Sequence, residues 1–214
     1  MKVTLVYDNT AYKKDLLPDW GFSCYIEIEN TPKILFDTGA SGTILLHNIE
    51  KLGIDPASID IIVVSHAHWD HTGGLPELLK VNRSAILYLP SSFQTSIPDR
   101  EVIAVDNAIE VTGNVFSTGE LRGVEQSLIV KTDTGLVVIA GCSHPGVRRI
   151  LEAASSYGKV STLIGGLHGF REFDLLQELH SVCACHCTQY KSEIKKLYPH
   201  KWLDGGVGKV IDSP

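Results

Sequence analysis

Ile59-Asp60-Ile61-Ile62-Val63-Val64-Ser65 runs directly into His66-Ala67-His68-Trp69-Asp70-His71, and this stretch decides how the chain is read. The first seven residues form an apolar, β-branched run, the pattern of a strand buried on both faces. The next six put three imidazoles and a carboxylate on the loop leaving that strand. A His-rich surface loop of no consequence would leave these groups beside a core strand, desolvated without partners. A metal site explains them better. Two divalent cations with open positions need roughly five to seven N and O donors between them, and one loop already supplies four.

Beyond this loop, the bulk properties narrow the class of protein. The chain has 214 residues, 43% of them hydrophobic, enough for one sizeable core, so one domain over 1–214 is expected. A formal charge of -6 and the absence of a basic stripe argue against a nucleic-acid partner. The N-terminus, Met1-Lys2-Val3-Thr4-Leu5-Val6-Tyr7, enters an alternating strand pattern without the charged and apolar regions of a secretory signal. Apolar runs such as 136–140 fall far short of the ~20 residues that cross a bilayer. A soluble, cytoplasmic protein with no membrane contact is the expectation. Five cysteines (24, 142, 183, 185 and 187) then suit metal binding or burial better than a disulfide framework. No motif speaks to oligomeric state.

Strand patterns at 2–7, 24–29 and 33–36 come first, with Asn30-Thr31-Pro32 as a hairpin break. A helix over 43–52 closes at Gly53, another begins near Pro76, and 85–89 is a strand. Residues 90–123 are the least regular, with short strand candidates around 108–112 and 115–117, and suit a flap or pocket rim. Later, strands at 127–132, 136–140, 160–164, 182–185 and 207–211 alternate with helices at 147–157, 172–179 and 192–197. Hairpins followed by strand–helix alternation predict an α/β fold of two mixed sheets with helices outside.

Five of the nine histidines follow strands: His66, His68, His71, His144 and His186. Strands running side by side would bring them to one rim. Here the chain resembles the metallo-β-lactamase superfamily, whose His-x-His-x-Asp-His signature matches residues 66–71 and whose upstream motif matches Phe36-Asp37-Thr38-Gly39. Leu52-Gly53-Ile54-Asp55, Thr72-Gly73-Gly74-Leu75, Gly141-Cys142-Ser143-His144 and His186-Cys187-Thr188 resemble one branch of it. That branch comprises metal-dependent hydrolases often called dihydropterin ribofuranosyl-aminobenzene phosphate synthases. The resemblance spans residues 3–210 and implies a four-layer αβ/βα sandwich with a dinuclear metal centre between the sheets. It implies two divalent ions, zinc first, with manganese or iron as alternatives. His66 and His68 would hold one ion, and Asp70, His71 and His186 the other, with Asp37 orienting a ligand through hydrogen bonds. Asp37 as a turn aspartate bonded to its own backbone is the plainer alternative.

The chain departs from the superfamily pattern between Thr72 and Ser143, where no histidine occurs. His144 is the local candidate for the missing imidazole, and Cys142 stands where a bridging Asp is expected. A thiolate there would suit zinc, whereas a buried inert thiol would look the same. His168, after Gly165-Gly166, is a candidate ligand, substrate contact or proton donor to the leaving group. Trp69 is expected to pack under the ligands or to line the pocket. Cys183, Cys185 and Cys187 alternate along a strand and are expected to face one side, opposite His186, as buried thiols.

The function expected from the resemblance is hydrolysis of a small ester, lactone, thioester or phosphoester, phosphorylated or not, by a metal-bound hydroxide, with Asp70 orienting it. A synthase-type condensation releasing pyrophosphate, a di-iron redox protein and a metal-binding regulatory protein are the alternatives. Iron would prefer more acidic ligands than this pattern supplies, and the intact motif at 66–71 counts against a vestigial site. Specificity is expected to lie in 90–123 and 170–173.

Overall fold

The computed structural model describes residues 1–212. Its strands are β1 (Lys2–Tyr7), β2 (Ser23–Glu27), β3 (Ile34–Phe36), β4 (Ile61–Val63), β5 (Ile86–Pro90), β6 (Val102–Val105), β7 (Ile109–Thr112), β8 (Val115–Ser117), β9 (Leu128–Thr132), β10 (Gly135–Ala140), β11 (Val160–Gly166), β12 (Ser181–Cys185) and β13 (Val210–Asp212). The helices are α1 (Gly42–Lys51), α2 (Trp69–Thr72), α3 (Leu75–Val81), α4 (Val147–Ser155) and α5 (Lys191–Leu197). They build one sheet in the order β13-β1-β2-β3-β4-β5-β6 and a second in the order β12-β11-β10-β9-β8-β7. Both are mixed. β3, β4, β5 and β6 run parallel, as do β10, β11 and β12, while the remaining pairs are antiparallel.

Period-2 alternation sorts the side chains into layers. Ile61 and Val63 of β4 face the core between the sheets, where they meet Val137 and Ile139 of β10. Ile62 and Val64 face the other way, against Leu45 and Ile49 of α1 and Leu78 of α3. On the second sheet Leu136, Val138 and Ala140 pack under α4 and α5. Both central strands are therefore buried on both faces, which is why 59–65 reads as a continuous apolar run. The resulting order of layers is helix, sheet, sheet, helix. The expected hairpin is the β2–β3 pair, and the irregular stretch 90–123 contains β6, β7 and β8. The helix expected over 172–179 is instead a 3-10 turn, Phe173–Leu176. No helix among the described residues is long and apolar enough to cross a membrane.

Two buried amides hold this frame. Gln126, fully buried, donates from Nε2 to the carbonyls of Val64 (2.8 Å) and Tyr88 (3.3 Å), and its Oε1 accepts from Ser117 Oγ (2.6 Å). It thereby ties the ends of β4 and β5 to β8 in the opposite sheet. Asn48 of α1 donates to the carbonyls of Val6 and Leu17 and accepts from Leu17 N, so it pins the segment between β1 and β2. Removing one partner of a buried hydrogen bond leaves the other desolvated, at about 1–3 kcal/mol each. Gln126→Ala is therefore expected to cost about 3 kcal/mol in urea unfolding. A loss well below 1 kcal/mol would show that the two sheets are not coupled through this amide.

Candidate metal centre

Parallel strands deliver their C-terminal ends to the same rim, and the chemistry-bearing residues follow those ends. Asp8 and Asn9 follow β1, Asp37 follows β3, and residues 65–71 follow β4. Residues 141–144 follow β10, His168 lies just beyond β11, and His186 and Cys187 follow β12. Four of these residues hold left-handed backbone without being glycine: Asp37 (φ 59°), Ser143 (φ 63°), His168 (φ 45°) and His186 (φ 43°). Such conformations cost of order 1–3 kcal/mol each and persist where the surrounding structure over-determines them.

The donors fall into two neighbouring triads. His66 Nε2 lies 3.0 Å from His68 Nδ1, and the His144 ring sits 4.6 and 4.8 Å from those two rings. Beside this set, Asp70 Oδ2 is 3.2 Å from His186 Nε2 and 3.9 Å from His71 Nε2. Within each triad the donor atoms lie within 4.8 Å of one another. Cys142 stands between them: its Sγ is 3.2 Å from His71 Nε2 and groups with both His66 and His71. His186 Nε2 is buried with no hydrogen-bond partner, since Asp70 Oδ2 approaches it without hydrogen-bond geometry. An unpartnered imidazole nitrogen turned into a cluster of N, O and S donors fits a divalent ion.

The far nitrogens explain why the near ones point inward. His66 Nδ1 meets Ser65 Oγ (2.8 Å), His71 Nδ1 meets Asp37 Oδ2 (2.7 Å), His144 Nδ1 meets Glu125 Oε2 (2.9 Å) and His186 Nδ1 meets Asn9 Oδ1 (3.0 Å). Each contact selects the Nδ1–H tautomer and leaves the Nε2 lone pair facing the cluster. Asp37 serves two rings, because Ser65 Oγ donates to its Oδ2 (2.7 Å) while accepting from His66. Ser65 N also donates to Asp37 Oδ1 at 2.6 Å. The turn-aspartate alternative fails, since these bonds reach across 28 and 34 residues. Burial pushes the His66 and His71 rings down to about 3, which keeps them in the neutral, metal-binding form at neutral pH. Burial pushes the Asp37 carboxyl the other way, up to about 7, against the pull of His66 and the Ser65 bonds. Glu125 is also buried, yet its bonds from His144 and neighbouring backbone hold it down to about 2.

Glu125 has no motif around it, and sequence reasoning missed it. Its Oε1 accepts from the N–H groups of Cys142 (2.9 Å) and Ser143 (3.0 Å), and its Oε2 from that of His144 (2.9 Å). Asn9 and Trp20 were equally invisible. Trp20 Nε1 donates to Asp70 Oδ2 at 2.9 Å, and its ring sits edge-on to His186 at 5.2 Å. His168 joins neither triad; it is exposed at the rim, 5.3 Å from the His144 ring. Trp69 does not pack under the ligands, because it opens α2 with 64% of its surface exposed. The three late cysteines also part company. Cys183 and Cys185 lie in the core between the sheets with sulfurs 3.6 Å apart. Cys187 instead joins Cys142 and His186, because the left-handed turn at His186 ends the strand's alternation.

Comparison with known proteins bears on the family and the fold. The family model described as the metallo-beta-lactamase superfamily matches residues 20–142. The 7,8-dihydropterin-6-methyl-4-(beta-D-ribofuranosyl)-aminobenzene-5'-phosphate synthase of Methanocaldococcus jannaschii is 27% identical over 89% of this chain and 88% of its own. An uncharacterised protein of the same organism is 26% identical over 98% and 99%. Among solved structures, a metal-dependent hydrolase of the beta-lactamase superfamily superposes with a TM-score of 0.79 at 24% identity, over 100% of this chain and 99% of that one. That likeness shows the fold.

An amide in place of the Glu125 carboxylate would aim N–H groups at the N–H groups of His144. Glu125→Gln is therefore expected to weaken metal binding by about 10–100-fold in competition with a chromophoric chelator. Its circular dichroism should match the parent, and the exposed Glu152→Gln should bind as the parent does. Unchanged affinity in Glu125→Gln would remove it from the support of His144.

Proposed function

This chain belongs to the metallo-β-lactamase superfamily, and we propose that within it the protein is a dinuclear metal-dependent hydrolase of small ester, lactone, thioester or phosphoester substrates. The observation that carries this reading is the pair of adjoining triads, His66/His68/His144 and Asp70/His71/His186, with imidazole nitrogens turned inward. Zinc is the proposed metal, because the donor set mixes imidazole and carboxylate with a cysteine sulfur. Bound there, two such ions supply Lewis acidity and bring the pKa of a coordinated water to about 7, the chemistry of hydrolysis at neutral pH.

The side chains contribute orientation and proton handling. Asp70 is held below the ordinary carboxylate range: burial opposes ionisation, but contacts with His186 and His71 outweigh it. With Trp20 donating to its Oδ2, it stays ionised, and in this reading it would orient the attacking water by accepting a hydrogen bond from it. His168, exposed at the rim 5.3 Å from the His144 ring, would protonate the leaving group as it departs toward solvent. A small molecule, rather than nucleic acid, suits an acidic chain of charge -6.

A second reading, a synthase-type condensation at the same centre, is favoured by the nearly full-length match to a chain named a synthase. Protein purified without added metal is expected to carry two equivalents of zinc by mass spectrometry. It should hydrolyse at least one member of a panel of aryl phosphate, phosphodiester, lactone and thioester substrates, and lose that activity in His68→Ala. Activity that survives His68→Ala, or a chain that keeps its fold but takes up no metal, would overturn the hydrolase reading. Chelation should also lower Tm, because ions that bind only the folded chain stabilise it.

A further inference from the structure

We propose that Cys187, together with Cys142, gives a pair of sulfur ligands to the ion held by His186, so that one half of the centre is a thiolate site. This rests on the dinuclear reading above and adds a ligand to it.

The argument begins with the strand. Cys183 and Cys185 face the inter-sheet core, and continued alternation would send Cys187 after them. The chain departs from that course at His186, whose φ of 43° is one that side chains with a Cβ rarely adopt. A defined turn holds the departure. Thr188 donates to the Cys185 carbonyl from both N (3.1 Å) and Oγ1 (2.8 Å), and its Oγ1 accepts from Leu167 N (2.9 Å). Asp8 Oδ1 accepts from His186 N at 2.7 Å. The consequence is that Cys187 Sγ, Cys142 Sγ and a His186 ring nitrogen all lie within 4.8 Å of one another.

Space for the second sulfur is built in. A Cβ added to Gly166 at the end of β11 would come within 2.7 Å of Cys187 Sγ and 2.5 Å of the Gly141 carbonyl. Only glycine at 166 lets that sulfur sit where it does. The other partners are buried, Cys142 and His186 each being 3% exposed, and His186 Nε2 has no hydrogen-bond partner of its own. Strained backbone, a missing side chain and an unpartnered nitrogen therefore converge on one point.

Two sulfurs make the centre chemically asymmetric. His66, His68 and His144 are neutral donors, whereas Asp70, Cys142 and Cys187 each bring a negative charge when they ligate. Soft sulfur donors favour zinc over manganese or magnesium on that side.

Cobalt(II) tests this without any substrate. Apo-protein kept reduced and reconstituted with cobalt should show visible d–d bands and a near-ultraviolet sulfur-to-cobalt charge-transfer band. Cys187→Ser and Cys142→Ser should each lower the charge-transfer band by about half, and the double variant should abolish it while the visible bands persist. Cys187→Ala gives the same reading if the serine variant folds poorly. A charge-transfer band of parental intensity in folded Cys187 variants would overturn the proposal and leave the dinuclear centre standing. Absence of all cobalt bands from the parent would overturn the dinuclear reading, and this proposal with it.

Discussion

An oxygen behind the ring of His66, His71, His144 and His186 is the constraint on which this site depends. An imidazole binds a metal only when neutral and only through the nitrogen that carries no proton. Burial ensures the first condition at His66 and His71, and Ser65, Asp37, Glu125 and Asn9 ensure the second by taking the Nδ1 proton of one ring each. The same acceptors satisfy backbone. Where strands end, N–H groups lose their ladder partners. Asp37 takes Ser65 N, Asp8 takes His186 N, and Glu125 takes three consecutive N–H groups at 142–144. Buried carboxylates at a sheet rim would be expensive if they did only one of these tasks.

Strain is distributed in the same places. Asp37, Ser143, His168 and His186 all turn left-handed just beyond strands. At His186 the turn redirects Cys187, which the strand's alternation would have sent into the core with Cys183 and Cys185. Hydrogen bonds hold those turns: Ser143 Oγ donates to the Gly166 carbonyl at 2.7 Å, and Gln189 N donates to the His168 carbonyl at 2.9 Å.

This distinction explains what was legible in the sequence. The layers follow from alternation, so β4 and β10 could be read from residues such as Ile61 to Val63. The donors at 66–71 are adjacent in the chain, and His144 and His186 follow recognisable strands. Glu125, Asn9 and Trp20 reach their partners across 19, 177 and 50 residues, and no local pattern marks them. Cys187 was misplaced for a different reason. Period-2 reading assumes the strand continues, and nothing about a histidine announces a positive φ as glycine would. Trp69 illustrates the limit of apolar identity, since a large aromatic between ligands stands mostly exposed.

The centre is also a joint between the two sheets. His66, His68, His71 and Asp70 come from the loop after β4 in the first sheet, whereas Cys142, His144, His186 and Cys187 follow strands of the second. Each triad takes two members from one side and one from the other. Neither sheet alone completes either triad, so sliding or separating them would dismantle both together. Ion binding and sheet docking are therefore linked: an ion that requires the docked arrangement stabilises it in proportion to the logarithm of its concentration over Kd. Between the sheets, the apolar core and Gln126 oppose the same separation without any ion. The packing brings the donors near one another, and the oxygens behind His66, His71, His144 and His186 turn those four rings toward the cluster.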